Sequence, residues 1–198
     1  IIIFSVVIHE VSHGAVAYAL GDTTAKDEGR LTLNPLPHID FFGSIILPLL
    51  LFLSHGPIFA WAKPVPYNPY NLKNQKYGPS LVGAAGPLSN VAVAVFFGVL
   101  IRFSSALNLP TQFLQIAGSI VLLNLFLAIF NLVPIPPLDG SKVLFAFLPA
   151  DWSRVQDFLE RYGFFILLIL VFLIPGILYS LVAPIVGFLL SLITGIGF

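Results

Sequence analysis

Between Lys76 and Asp139 the chain carries a single charged residue, Arg102. A soluble domain has about 25% charged residues, so this stretch cannot clothe a surface in water. In lipid every backbone donor and acceptor must be satisfied inside its own segment, which calls for helices. The rest of the chain agrees: 58% of residues are hydrophobic, 9% are charged, and the mean hydropathy is +0.98. The expected fold class is an all-α multi-pass membrane protein. Net charge is zero, so nothing points to nucleic acid. The chain has no cysteine, which removes disulfides, thiolate metal sites and thiol nucleophiles.

Length and punctuation divide the chain. Residues 1–20, 80–103 and 113–133 are each long enough to span a bilayer. Residues 164–198 are apolar but broken by Pro175-Gly176 and Pro184, giving one tilted span or two short ones. That makes about 4–6 transmembrane helices. Residues 141–161 read as an amphipathic surface helix. In Gly29-Arg30-Leu31-Thr32-Leu33-Asn34 the alternation predicts a short strand at the membrane surface. Residues 41–53 are apolar but too short to cross comfortably, and they contain Pro48, so 41–59 reads as re-entrant. The whole of 1–198 is expected to form one intramembrane domain. Its apolar start without methionine reads as a processed or trimmed N-terminus.

Charge sets the orientation. With a re-entrant 41–59, Lys26, Arg30, Lys63, Lys73, Lys76, Lys142, Arg154 and Arg161 share one side, and Arg102 stands alone opposite. The positive-inside rule makes the charged side cytoplasmic.

The first span holds His9-Glu10-Val11-Ser12-His13. On a helix, residues i and i+4 share a face, so both imidazoles can reach one ion. Glu10 then stands beside the metal, placed to take a proton from metal-bound water. Five residues are a weak pattern in a soluble protein. Inside a span each ionisable group costs roughly 2.5–3.5 kcal/mol, so such groups are rare unless they serve a function. The alternative is a polar cluster that hydrogen-bonds neighbouring helices.

Catalytic zinc usually takes three protein ligands and keeps one open position. Glu28, His38, Asp40, His55 and Asp139 are the candidates for the third. In the re-entrant topology the first and third spans end on the same side. His13 lies roughly 12 Å inside that end, and the bend 134–139 can fold back to a similar depth. Asp139 is therefore favoured, although Asp-Gly also suits a plain turn. His38 and His55 read as interfacial polar residues. Trp61, Tyr67, Tyr70 and Tyr77 read first as interface anchors.

Three segments together resemble the site-2 protease family of intramembrane zinc metalloproteases. They are His9–His13, then Gly86-Pro87-Leu88-Ser89-Asn90, and Asn131-Leu132-Val133-Pro134-Ile135-Pro136-Pro137-Leu138-Asp139-Gly140. The last is similar to the family's N-x-x-P-x-P-x-x-D-G signature. The stretches 29–40 and 60–66 look like its compact prokaryotic branch, without PDZ or CBS domains. The resemblance implies one catalytic Zn2+ on His9, His13 and Asp139, with Glu10 as the catalytic carboxylate. It also gives Asn131 a place at the site, where its amide would stabilise an oxyanion.

Asn90 is read as a substrate or ligand contact, against the plainer reading of an interhelical hydrogen bond. The expected substrate is a transmembrane helix, which must unwind before its carbonyls can be attacked. Gly29, Arg30, Leu31, Thr32 and Leu33 would offer the unwound chain an edge for strand addition. The rivals are a metal transporter and a metal-binding membrane scaffold. A transporter would be expected to continue its polar groups across the membrane, and here the far halves of the spans are almost purely apolar.

Overall fold

The structure is a computed structural model and describes residues 1–54 and 61–195. Four of its helices are long and apolar enough to cross a membrane: α1 (Ile2–Ala19), α4 (Gly78–Arg102), α6 (Thr111–Asn131) and α9 (Pro175–Thr194). Between them lie α2 (Thr24–Asp27), α3 (Leu47–Leu53), α5 (Ser104–Leu107), α7 (Asp139–Phe147) and α8 (Ser153–Phe172).

Helix α4 is the central element, packed against α1, α6, α7 and α9. The main core joins α4, α6, α8 and α9 through Ala94, Ile101, Val121, Leu125, Val182 and Val186, among others. Small side chains on α4 let its neighbours approach closely. A Cβ on Gly98 would strike Ile193 of α9. Polar residues join α1 to α6: Asn124 Nδ2 donates to Ser5 Oγ at 3.0 Å and to Ile120 O at 2.8 Å.

The end of α1 is tied to the start of α4. Helix α1 stops at Leu20, and Gly21 takes a φ of +107° that a side chain would resist. Asp22 is fully buried just beyond. Its carboxylate accepts from Thr24 Oγ1, Asn71 Nδ2 and Asn68 N at 2.6–2.9 Å. Burial works against this charge, but those donors outweigh it and hold the carboxyl below its ordinary range. Lys73 N also donates to Leu20 O, at 2.9 Å. Helix α4 therefore begins beside the end of α1 and runs back antiparallel to it.

Three expectations need correction. The strand expected in 29–34 is not there, and no strand occurs among the described residues. The neighbouring segment Lys63-Pro64-Val65-Pro66 has two prolines, which lack the N–H a ladder requires. The link is made by a side chain instead: Arg30 Nη2 donates to Lys63 O at 2.8 Å and to Pro64 O at 3.3 Å. The surface helix expected over 141–161 is two helices, because the chain breaks around Pro149 between α7 and α8. In 164–198 the break falls at Leu173-Ile174, since Pro175 opens a new helix and its predecessor avoids helical backbone. Residues 164–172 thus complete α8, whose first half is polar.

Residues 41–53 are helical, with a π turn over Phe41–Ile46 leading into α3. Asp40 caps the turn, its Oδ1 accepting from Gly43 N at 2.6 Å. Residues 55–60, including His55 and the exit of the expected re-entrant segment, lie outside the described residues. Where description resumes, Trp61 N donates to Gly43 O at 3.2 Å and Lys63 N to His38 O at 2.9 Å.

Candidate metal centre

His9 and His13 lie one turn apart on the face of α1 that meets α4. Asp139 reaches them from the far side of a sharp return. Helix α6 ends at Asn131, ahead of Pro134, and α7 opens at Asp139. The return is tight: a Cβ on Gly140 would strike the carbonyl of Leu132. Asp139 Oδ2 stands 3.0 Å from His9 Nε2 and 3.1 Å from His13 Nε2, and all three residues are buried.

The outer nitrogens fix which atoms face inward. His13 Nδ1 lies 2.6 Å from Val82 O, an acceptor that requires Nδ1 to carry the hydrogen. His9 Nδ1 donates to Asn90 Oδ1 at 3.1 Å. In the neutral rings both Nε2 atoms are then bare lone pairs aimed at a carboxylate oxygen. Three acceptors converging in a buried space repel unless a cation lies among them. Their donor atoms all lie within 4.8 Å of one another. Tetrahedral zinc, at roughly 2.0–2.1 Å from its ligands, sets neighbouring ligand atoms roughly 3.3 Å apart, close to the two distances from Asp139 Oδ2 to the histidines. The space beside them is kept by Gly86 of α4, where a Cβ would sit 2.5 Å from both Nε2 atoms. The donor set fits zinc.

Two contacts at this centre were not foreseen. Lys142 Nζ bonds the second oxygen of Asp139 at 3.0 Å, which leaves Oδ2 for the histidines. The i, i+3 spacing on a helix was the available signal. Glu10 Oε2 accepts from the backbone N of Val65 at 2.8 Å. No sequence pattern announces that bond.

The other expected site residues are placed as follows. Asn90 is fully buried, and its Oδ1 accepts from His9 Nδ1 at 3.1 Å and more weakly from Ser89 Oγ at 3.5 Å, so it orients a ligand candidate. Asn131 Nδ2 donates to Leu127 O of its own helix at 2.9 Å. Arg30 is buried behind the 63–66 segment, while Gly29 and Leu33 are exposed and Leu31 and Thr32 half-buried. Glu28 is exposed and Asp40 caps a helix, so neither joins the cluster.

Comparison with known proteins decides the family. The chain is 38% identical over 175 residues to the "Putative zinc metalloprotease YwhC" of Bacillus subtilis, covering 85% of this chain and 77% of that one. The chain belongs to peptidase family M50, the site-2 proteases. The M50 family model itself matches residues 105–173. A second relative is the "Putative zinc metalloprotease MJ0611" of Methanocaldococcus jannaschii, 35% identical over 151 residues, 75% of this chain and 69% of that one. A third is the "Putative zinc metalloprotease Rip2" of Mycolicibacterium smegmatis, 30% identical over 170 residues, of which the match spans 63%. No solved structure matches significantly. As an M50 member the chain is a metalloendopeptidase of the membrane, and zinc is its cofactor.

Proposed function

We propose that this M50 protease hydrolyses peptide bonds within or near transmembrane segments of membrane proteins. The carrying observation is the convergence of Asp139 on His9 and His13, which lie beside Glu10 in a helix long enough to span. These three residues would hold the zinc. When bound, the ion would polarise the scissile carbonyl and acidify the attacking water.

The chain's own groups supply the rest. Val65 N–H fixes one oxygen of Glu10, which leaves Oε1 to take the proton from water and return it to the leaving amine. Asn90 and Val82 hold the two imidazoles in the metal-binding tautomer. Gly29, Arg30, Leu31, Thr32 and Leu33 form an irregular segment beside the catalytic helix, with Leu31 packed near Gly14. An unwound substrate needs new backbone partners in lipid, and this segment would supply them. Asn131 would donate to the developing oxyanion after its amide turns off Leu127 O. Asn131→Ala should then lower kcat by roughly 10²–10³-fold with little change in KM. An unchanged kcat would leave Asn131 with only its helix-terminal hydrogen bond.

The reading also places the site toward the cytoplasm. Support comes from the bonds Trp61–Gly43 and Lys63–His38, which return the chain to the end of the 41–53 segment from which it left. That return favours the re-entrant reading of 41–59, and with it the charge distribution of the positive-inside rule. The competing reading, a metal transporter or a non-catalytic scaffold, binds metal without cutting. Purified protein should contain one zinc and cleave single-span model proteins in vesicles, with cleavage lost to a chelator and restored by zinc. Stoichiometric zinc with no cleavage of any single-span protein would favour the scaffold.

A further inference from the structure

A cavity of about 340 Å³ opens between the first half of α1 and the 35–48 segment. Ile2, Ile3, Val6 and Val7 form one wall, and Ile45 and Pro48 the other. Ile2, Val6 and Glu10 follow one another at i, i+4 and i+8, so this wall and the catalytic carboxylate share one stripe of α1. Val6 stands one turn, roughly 5.4 Å, from Glu10. An extended substrate rises roughly 3.3 Å per residue, so the cavity matches a position one or two residues from the scissile bond.

Apart from His38, Ser44 and the indole of Trp61, the side chains lining the cavity are apolar. Ser44 is engaged: its Oγ donates to Trp61 O at 2.7 Å and accepts from Asp40 N at 3.1 Å. His38 is 2% exposed, and its Nε2 donates to Thr32 O at 2.9 Å. That bond leaves Nδ1 as a bare acceptor, and Nδ1 has no partner. An unmet buried acceptor is costly, and a donor that reaches it recovers the cost. The volume suits one large side chain, and the apolar walls exclude a charged one.

The geometry points to this cavity as the specificity pocket of the protease, taking a bulky apolar side chain of the substrate beside the scissile bond. A side chain ending in a donor, tyrosine or tryptophan, fits it best once the His38 ring shifts to open Nδ1, which is closed off in this structure. The inference rests on the protease reading above and adds the substrate residue that the site selects.

The test uses single-span model substrates with an Ala/Leu core, reconstituted in vesicles with the zinc-loaded enzyme. Ala, Leu, Phe and Tyr are placed in turn at each position within three of the cleaved bond. At one position the wild type should prefer Leu and Phe over Ala, and Tyr over Phe by roughly five- to tenfold. His38→Gln keeps a donor for Thr32 O and removes the Nδ1 acceptor. It should abolish the Tyr-over-Phe preference and keep that of Phe over Ala. Val6→Phe should narrow the cavity and lower the Phe-to-Ala ratio of kcat/KM at least tenfold.

Zinc content and melting temperature show that both variants fold. A flat side-chain profile in the wild type, or ratios unmoved by both variants, overturns the pocket and leaves a groove filled by lipid. A wild type without chelator-sensitive cleavage overturns the protease reading itself, and the pocket with it.

Discussion

Replacing Glu10 with glutamine abolishes cleavage of a transmembrane substrate and leaves zinc bound. The two side chains have the same shape. Glutamine's oxygen can still accept from Val65 N–H, so the 63–66 segment stays on α1. The three candidate ligands are other residues, and both imidazoles keep their outer hydrogen bonds. What disappears is a group able to take and return a proton. Loss of a general acid–base group typically costs 10²–10⁴-fold, about 3–5 kcal/mol of transition-state stabilisation. Cleavage should therefore fall at least a hundredfold while elemental analysis still finds one zinc per chain. Wild-type turnover would take the base away from Glu10. Loss of zinc together with activity would make Glu10 part of the binding site instead.

The spacing of His9 and His13 made their convergence legible, because helix geometry converts i, i+4 into a shared face whatever surrounds it. The return of Asp139 was legible for a similar reason: prolines end a helix by covalent structure, not by context. The strand at 29–34 failed because alternation specifies which faces a strand would have, not whether a partner exists. Its nearest neighbour carries Pro64 and Pro66, and Arg30 makes the cross-link with its guanidinium. The contacts of Val65 with Glu10 and of His38 with Thr32 join a backbone atom to a side chain, so no residue pattern encodes them. Helix α8 was misread because its polar beginning and apolar end look like two elements, although no proline or glycine pair separates them before Leu173.

A methyl group at Gly86 should empty the metal centre. In Gly86→Ala the new Cβ would sit 2.5 Å from Nε2 of both His9 and His13, closer than side-chain carbons are found. Neither ring can swing aside cheaply. His13 is held by Val82 O and His9 by Asn90 Oδ1, and a ring that leaves its partner strands a buried polar atom. Separating the helices instead would open the α1–α4 interface on which both rings depend. Either response pulls the Nε2 atoms off a common centre. Zinc affinity should fall by at least the roughly 10–100-fold typical of lost ligand-orienting contacts, and cleavage should fall with it. Gly118→Ala is the matched control, because a Cβ there meets nothing within 4 Å. It should bind zinc normally and, as an alanine inside a helix, cost no stability. If Gly86→Ala retained full zinc affinity, the ion could not lie where the three side chains converge, since that space would be occupied by carbon.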